Sequence, residues 1–360
     1  MESMFQTTHG SITLPAFLPD ATFGQVRGVD AQDLAACGVQ AVMMNSYHLM
    51  QKPGTTVISA LGGLHAFSGW QAPIFTDSGG FQAYSLIRQN SNFGSFADNG
   101  IQLKDQAHGK KILLTPEKSI QIQWKMGADV LFCLDDCTHV DDADSEQHLS
   151  VARTLNWAKR CKQEFQHLQE RSAESDSQRK LFAIVQGGGS RALRQTCANE
   201  LLEIGFDGYG YGGWPLDKDG KLVEDMVAYT RELIPVPSPM HALGIGHPYN
   251  LVRTYLLGYQ LFDCAMPTRD ARHGRLYRIR GEISTSQMDW LEYIYPKDER
   301  HIRNRDAVDP NCACHTCQHY SIGYLHHLQH IHETLYTRLA TIHNLYCMTR
   351  VIQFLRGEKP

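Results

Sequence analysis

Eight short apolar runs, separated by helix-length intervals, limit what this chain can fold into more than any other feature. Ala16-Phe17-Leu18 leads into Pro19-Asp20, Ala41 to Met44 into Asn45-Ser46, and Ile74-Phe75-Thr76 into Asp77-Ser78-Gly79-Gly80. Val130 to Leu134 leads into Asp135-Asp136-Cys137, Leu181 to Val185 into Gln186-Gly187-Gly188, and Gly208 to Tyr211 into Gly212-Gly213. His241-Ala242-Leu243 runs into Gly244-Ile245-Gly246, and the eighth run is Leu261-Phe262-Asp263-Cys264-Ala265-Met266 before Pro267. Continuous apolar runs of this kind suit strands buried on both faces, as in a parallel sheet covered by helices. Eight of them predict an α/β chain built as a (β/α)8 TIM barrel, whose functional residues lie where the strands end. The polar residues that close these runs are therefore the first candidates for chemistry.

The intervals carry helix signals. Val29 to Cys37 stops at Gly38, a residue suited to the left-handed C-cap. Thr115-Pro116-Glu117 offers an N-cap and a proline at the first helical position, and Ser145 to Glu170 runs without Gly or Pro. Two regions break the repeat. Residues 86–113 are polar and turn-rich (Asn99-Gly100, Gly109), which predicts a hairpin-like excursion after the third strand. Residues 281–340 hold a cysteine cluster and a histidine-rich helix with His326, His327, His330 and His332. The expected organisation is a barrel over 1–280, a metal-stapled subdomain over 281–340, and a closing helix in 341–360.

With 360 residues, 42% of them hydrophobic, the chain can bury a large core and is not a disordered tail. A net charge of -4 argues against indiscriminate coating of nucleic acid, so any such contact must come from a local patch. One exists: Arg269, Arg272, Arg275, Arg278 and Arg280 follow the eighth run. No segment has the pattern of a signal peptide or the length of a membrane span, and a cytoplasmic protein is expected. Ten cysteines in such a setting read as thiols or metal ligands.

Cys312-x-Cys314-x-x-Cys317 is the sharpest metal signal, because three thiolates so close can hold one tetrahedral zinc ion. A structural site needs a fourth ligand. Spacing alone leaves His319, His326, His327, His330, His332 and His343 open. Asp77-Ser78-Gly79-Gly80-Phe81-Gln82 pairs an acid with two glycines that let backbone approach a ligand, and with a ring able to stack on a base. Asp135, Asp136, Cys137 and Gln186 add groups suited to the Watson–Crick edge of a purine. Asp263 on its own reads as a buried acid paired with Arg269. In company with the other strand ends it becomes a candidate nucleophile.

Asp77-Ser78-Gly79-Gly80-Phe81-Gln82, the Phe262-Asp263-Cys264 strand with Pro267-Thr268-Arg269, and the Cys-x-Cys-x-x-Cys cluster followed by His343-Asn344 stand in that order within a match over roughly His9 to Leu355, and together they resemble the bacterial-type tRNA-guanine transglycosylases. That family exchanges the wobble guanine of tRNAs with a G-U-N anticodon for a 7-deazaguanine base, such as 7-aminomethyl-7-deazaguanine or queuine, in queuosine modification. The resemblance implies Asp263 as the nucleophile that forms a covalent aspartyl-tRNA intermediate and Asp77 as general acid and base. It implies a base pocket of Ser78, Gly79, Gly80, Phe81, Asp135, Cys137, Gln186, Gly213, Trp214 and Leu243, with Phe81 and Leu243 sandwiching the base. Gly244, Ile245, Gly246, His247, Pro248, Tyr249 and Asn250 would line the RNA path. Thr268, Arg269, Asp270, Ala271 and Arg272 would read the nucleotides flanking the wobble position. Cys312, Cys314, Cys317 and His343 would hold one structural Zn2+, and a homodimer is implied.

The chain departs from the bacterial pattern in places. Phe81 stands where tyrosine is usual. In the loop Gly212-Gly213-Trp214-Pro215-Leu216-Asp217-Lys218, the glutamate that reads an aminomethyl group falls on Lys218. Ser321-Ile322-Gly323-Tyr324 lacks an arginine usual in the zinc subdomain. A non-catalytic tRNA-binding paralogue, or the partner subunit of a heteromeric transglycosylase, is the alternative, and the presence of both Asp77 and Asp263 argues against it. A metal-dependent barrel hydrolase would need inward His-x-His or carboxylate ligands at strand ends, which are absent.

Overall fold

The computed structural model describes residues 3–104, 111–172 and 178–358. Eight parallel strands form its centre: β1 (Ala16–Pro19), β2 (Val42–Met44), β3 (Ile74–Thr76), β4 (Val130–Phe132), β5 (Lys180–Val185), β6 (Gly208–Tyr211), β7 (Met240–Ala242) and β8 (Leu261–Cys264). Each pairs in parallel with its neighbours from β2 round to β8, and β8 pairs with β1. The seam between β1 and β2 is closed by a parallel bridge between Asp20 and Met43. The expected (β/α)8 barrel is present.

Side chains alternate across the barrel wall, as the two-residue period of a strand requires. Ala16, Leu18, Met43, Phe75, Val130, Phe132, Phe182, Ile184 and Leu261 point inward and form one buried cluster. Phe17, Val42, Ile74, Leu131, Leu181, Ala183, Tyr209 and Phe262 point outward against the helices. β6 contributes almost nothing inward except Gly208 and Gly210, and the aromatic interior depends on that. A Cβ on Gly208 would lie 2.3 Å from the ring of Phe182, its partner across the sheet.

The barrel floor carries an element the repeat did not announce. Ser3–Thr7 and Gly10–Leu14 form an antiparallel hairpin whose Phe5 and Ile12 plug the interior, with Phe5 edge-on to Phe182 at 5.7 Å. Asp129, fully buried at the start of β4, fastens it by accepting from the His9 amide at 3.1 Å and from the His9 ring at 2.7 Å. The same carboxylate accepts from the Ile74 amide at 2.8 Å and faces His65 at 3.2 Å.

The helices follow their signals. Asp30 and Thr115 cap Ala31–Ala36 and Pro116–Met126, and one long helix spans Asp144–Glu170. The excursion after β3 is larger than a hairpin: Gly94–Ala97, Gly100–Lys104 and Lys111–Leu114 make a three-stranded antiparallel sheet. The expected turn at Gly109 lies outside the described residues. The final helix runs Thr334–Arg356, so its first turns fall within the 281–340 segment rather than after it.

The glycine at 208 gives a direct check on the interior. Gly208→Ala is expected to lower stability by about 1–3 kcal/mol through overpacking against Phe182, read by urea denaturation. Combining it with Phe182→Leu should recover part of that loss, and a neutral Gly208→Ala would contradict this account of the core.

Candidate functional site

Asp77 and Asp263 both sit at the C-terminal mouth, directly after β3 and within β8. Leu261 points into the apolar interior, so Asp263, two residues further along, keeps the same inward direction but reaches the mouth. Its Oδ1 accepts from His241 Nε2 at 2.9 Å and from the Gly244 amide at 3.2 Å. Its Oδ2 takes no hydrogen bond among the described residues, and the side chain is 17% exposed. Arg269, the salt-bridge partner that simple proximity suggests, makes no ion pair with it.

Asp77 is held at the start of the next helix, Gly80–Gln89. Its Oδ1 accepts from the Ser46 amide at 2.9 Å, the Ser46 hydroxyl at 3.1 Å and the Gly79 amide at 3.2 Å. Gly79 adopts φ 82, which lets the chain turn from strand to helix within two residues. Burial pushes the Asp77 carboxyl up to about 7 against the pull of these three bonds. Such a group can both give and take a proton near neutral pH.

Asp135 lies at the end of β4, buried. Its Oδ2 accepts from Gln186 Nε2 at 2.7 Å, and its Oδ1 lies 3.4 Å from the Ser78 hydroxyl. Burial pushes this carboxyl to about 7 as well. Gln186 Oε1 is buried and finds no donor among the described residues, which leaves an acceptor beside Asp135. Gly80 must lack a side chain, because a Cβ there would come within 2.9 Å of the Asp135 carbonyl. Gly212 is equally constrained by Gln186, and Gly213 takes φ 87. Cys137 is buried and its thiol is pushed far up by burial, so it packs as a neutral group.

The rings at the rim are arranged differently from a simple sandwich. Phe81 and Trp214 stack on each other with centroids 5.7 Å apart and planes 18° apart, both more than two-fifths exposed. Leu243 packs lower, against the barrel interior. In the loop beyond Trp214, the Asp217 carboxylate accepts from the Asp219 and Lys221 amides, each at 2.9 Å, and Lys218 is exposed. That acid is consumed by its own turn.

The arginine tract divides in two. Arg275 pairs with Asp270 at 2.6 Å, and Arg278 and Arg280 pair with Glu292 across the Leu276–Ile279/Leu291–Ile294 hairpin. Among the described residues, Arg269 and Arg272 have no ion pair; Arg269 is exposed, and Arg272 donates to Thr268 Oγ1 at 3.2 Å. Thr268, Asp270 and Ala271 are buried, and Asp270 also accepts from the Tyr277 hydroxyl at 2.7 Å. In the preceding loop Ile245 is buried and Gly246 lies against Cys264, where a Cβ would approach to 2.2 Å. His247 caps the helix Pro248–Leu256 and meets the Tyr293 hydroxyl at 2.9 Å. Tyr249 bonds the Leu291 backbone, and Asn250, the next residue, lies half-buried.

Two residues central to this geometry, His241 and Arg194, carried no signal of their own in the sequence, and Asp20 and Ser46 stood only among the polar residues that close the strand runs. Asp20 follows β1, bonds Thr22, and has its carboxyl raised by burial with Asp263 nearby. Arg194 is buried and donates to the Val185, Gly188 and Gly212 carbonyls, which fixes the loops after β5 and β6. The clue for His241 was its parity: it lies at an inward position of β7, level with Leu261 across the sheet.

Cys312, Cys314, Cys317 and His343 converge, buried, with their donor atoms within 4.8 Å of one another. His343 Nδ1 lies 3.8, 3.6 and 3.3 Å from the three sulfurs in chain order. A tetrahedral ion with metal–sulfur bonds near 2.3 Å sets ligands about 3.6–3.8 Å apart, so the donor set fits one. His343 Nε2 faces the Tyr277 carbonyl at 2.5 Å, which puts the proton there and turns the Nδ1 lone pair toward the cysteines. The neighbouring Asn344 accepts from the Tyr277 amide and donates to the Pro267 and Arg275 carbonyls, each at 3.0 Å. The cluster thus backs the segment that carries Arg269 and Arg272.

Comparisons with known proteins point to a single family. A family model described as queuine tRNA-ribosyltransferase matches residues 3–358. The chain is 39% identical over 350 residues to a queuine tRNA-ribosyltransferase of Pseudoalteromonas atlantica, covering 96% of this chain and 87% of that protein. It is 36% identical to the proteins of that name from Shewanella halifaxensis, over 97% of this chain and 86% of the relative, and Idiomarina loihiensis, over 96% and 87%.

Two expectations follow from the site. With its carboxyl raised to about 7, Asp77 binds a proton in the folded protein that the unfolded chain releases near pH 4. Its contribution to stability is therefore full below about pH 4 and lost as pH rises through about 7. Asp77→Asn keeps the acceptor oxygen without the charge. It should be more stable than the parent at pH 8, by ~2–4 kcal/mol, and lose that advantage as pH falls to about 4; an equal effect at both would contradict the assignment. Separately, cobalt loading should give the visible absorption of a tetrahedral thiolate complex, and Cys317→Ser should weaken or abolish it.

Proposed function

The chain belongs to the queuine tRNA-ribosyltransferase family, and from that premise we propose that it is a tRNA-guanine transglycosylase, a pentosyltransferase acting on the wobble guanine of G-U-N tRNAs. The observation that carries this reading is the pair of mouth carboxylates in unlike settings. Asp263 has one oxygen fixed by two donors and the other unengaged, as a nucleophile requires. Asp77 has its carboxyl raised to about 7, as a general acid and base requires.

Asp263 attacks ribose C1′ and displaces guanine, which takes a proton from Asp77. The incoming 7-deazaguanine then returns its proton to Asp77 and displaces the aspartyl ester, so configuration at C1′ is retained, as in retaining glycosidases. Asp135 and the free Gln186 Oε1 accept from the ring N–H and amino groups of the base. Arg269 and Arg272, the cations of the tract that carry no acid partner, bind the flanking phosphates. The Cys312, Cys314, Cys317 and His343 group holds zinc in a structural role. With zinc bound there, His343 and its neighbour Asn344 would hold the arginine segment in place.

Labelled guanine should exchange into a G-U-N tRNA, and 7-aminomethyl-7-deazaguanine and queuine, supplied separately, should show which base replaces it. Asp263→Ala is expected to abolish both exchange and the denaturant-resistant protein–RNA adduct. An adduct that persists in that variant would overturn the reading.

A further inference from the structure

His241 is fully buried on β7, and its ring lies edge-on to Phe75 and Phe132, with centroids 6.0 and 5.5 Å away. Its Nδ1 is buried with no partner among the described residues. A ring nitrogen facing apolar rings keeps its lone pair, so the proton sits on Nε2 and is donated to Asp263 Oδ1 at 2.9 Å. The Gly244 amide donates to the same oxygen at 3.2 Å, and among the described residues no other hydrogen bond reaches either carboxylate oxygen. An asymmetric arrangement of this kind does more than hold a side chain in place.

We propose that His241 is a positioning residue that, with the Gly244 amide, fixes Oδ1 as the charge-bearing oxygen of Asp263 and thereby makes that carboxylate a good leaving group in the second half of the exchange. This rests on the reading of Asp263 as the nucleophile. In the first half, Oδ2 forms a bond to C1′ as the C1′–N9 bond breaks, and that electron pair, with the Asp77 proton, leaves on guanine. Asp263 loses its charge, and Oδ1 becomes the ester carbonyl. In the second half, the incoming base gives its N9 proton to Asp77 and bonds C1′ through N9. The C1′–Oδ2 pair returns to Asp263, and negative charge reappears on the carboxylate, where His241 and Gly244 donate.

Both donors bind the free carboxylate more strongly than the ester carbonyl, because hydrogen bonds to charge are the stronger ones. They therefore set the balance between covalent and free enzyme and speed release of the ester. A side chain that only supported folding would slow both halves without tilting that balance. Phe75 and Phe132 wall the ring, so an apolar ring in place of the imidazole would face like surfaces.

The test uses the full chain, a G-U-N tRNA and excess guanine, with adduct formation and adduct release timed separately on denaturing gels. His241→Phe keeps the ring and removes the donor. It should still form the adduct but release it roughly ten- to a hundredfold more slowly, with a higher covalent fraction at saturating guanine. His241→Gln, which restores an N–H, should recover most of the release rate. If His241→Phe fails to fold, His241→Leu carries the same expectation. Formation and release slowed together, or an unchanged covalent fraction, would overturn the inference. Asp263→Ala separates the two claims: an adduct that survives in it sinks the nucleophile reading, whereas its loss beside an unshifted balance in His241→Phe sinks only the role given to His241.

Discussion

The two-residue alternation of the barrel strands is the constraint on which the site depends. It sends Leu18, Phe75, Phe132, Phe182 and Leu261 into a closed apolar interior, sets His241 level with Leu261, and one inward step higher presents Asp263. A one-residue slip in β8 would bury Asp263 among the outer helices and bring Phe262 to the mouth. The glycines of β6 make the same point from the other side. Gly208 and Gly210 leave room for Phe182 and Leu243, so the interior can be filled by large rings on neighbouring strands.

A second dependency runs from the C-terminal helix to the arginines. His343 and Asn344 are adjacent on that helix. One turns toward the cysteine cluster, and the other bonds the backbone of Pro267, Arg275 and Tyr277. The segment from Pro267 to Tyr277 begins four residues after Asp263. The metal-ligating group therefore sits behind the surface that carries Arg269 and Arg272, in the outer core that also takes Phe262 of β8.

Much of this was legible in the sequence, for reasons that can be named. Continuous apolar runs ending in polar residues marked all eight strands, and the Cys-x-Cys-x-x-Cys spacing marked the metal group, although the choice of His343 came from resemblance and not from spacing. The hairpin that plugs the floor was not legible, because five-residue strands beside a long barrel repeat add little periodic signal. Arginine counting also misled: Arg275, Arg278 and Arg280 are adjacent to Arg269 and Arg272 in sequence but are neutralised by Asp270 and by Glu292, which arrives only through strand pairing. His241 and Arg194 escaped notice because one acts through Asp263, 22 residues away, and the other through backbone carbonyls, and no local pattern encodes such a contact.

The loop from Gly212 to Lys221 shows how a site can keep its framework and change its rim. Arg194 and the two glycines preserve the backbone around Gln186, while Trp214 covers Phe81 and Asp217 turns inward on its own amides. The central claim remains the identity of the nucleophile. Its most direct measurement is peptide mapping by mass spectrometry of the enzyme trapped with tRNA and digested with nuclease and trypsin. The account predicts the added nucleotide on the peptide from Thr254 to Arg269, at Asp263. The same mass on a peptide carrying Asp77 or Asp20, or no covalent mass at all under conditions of active exchange, would contradict it.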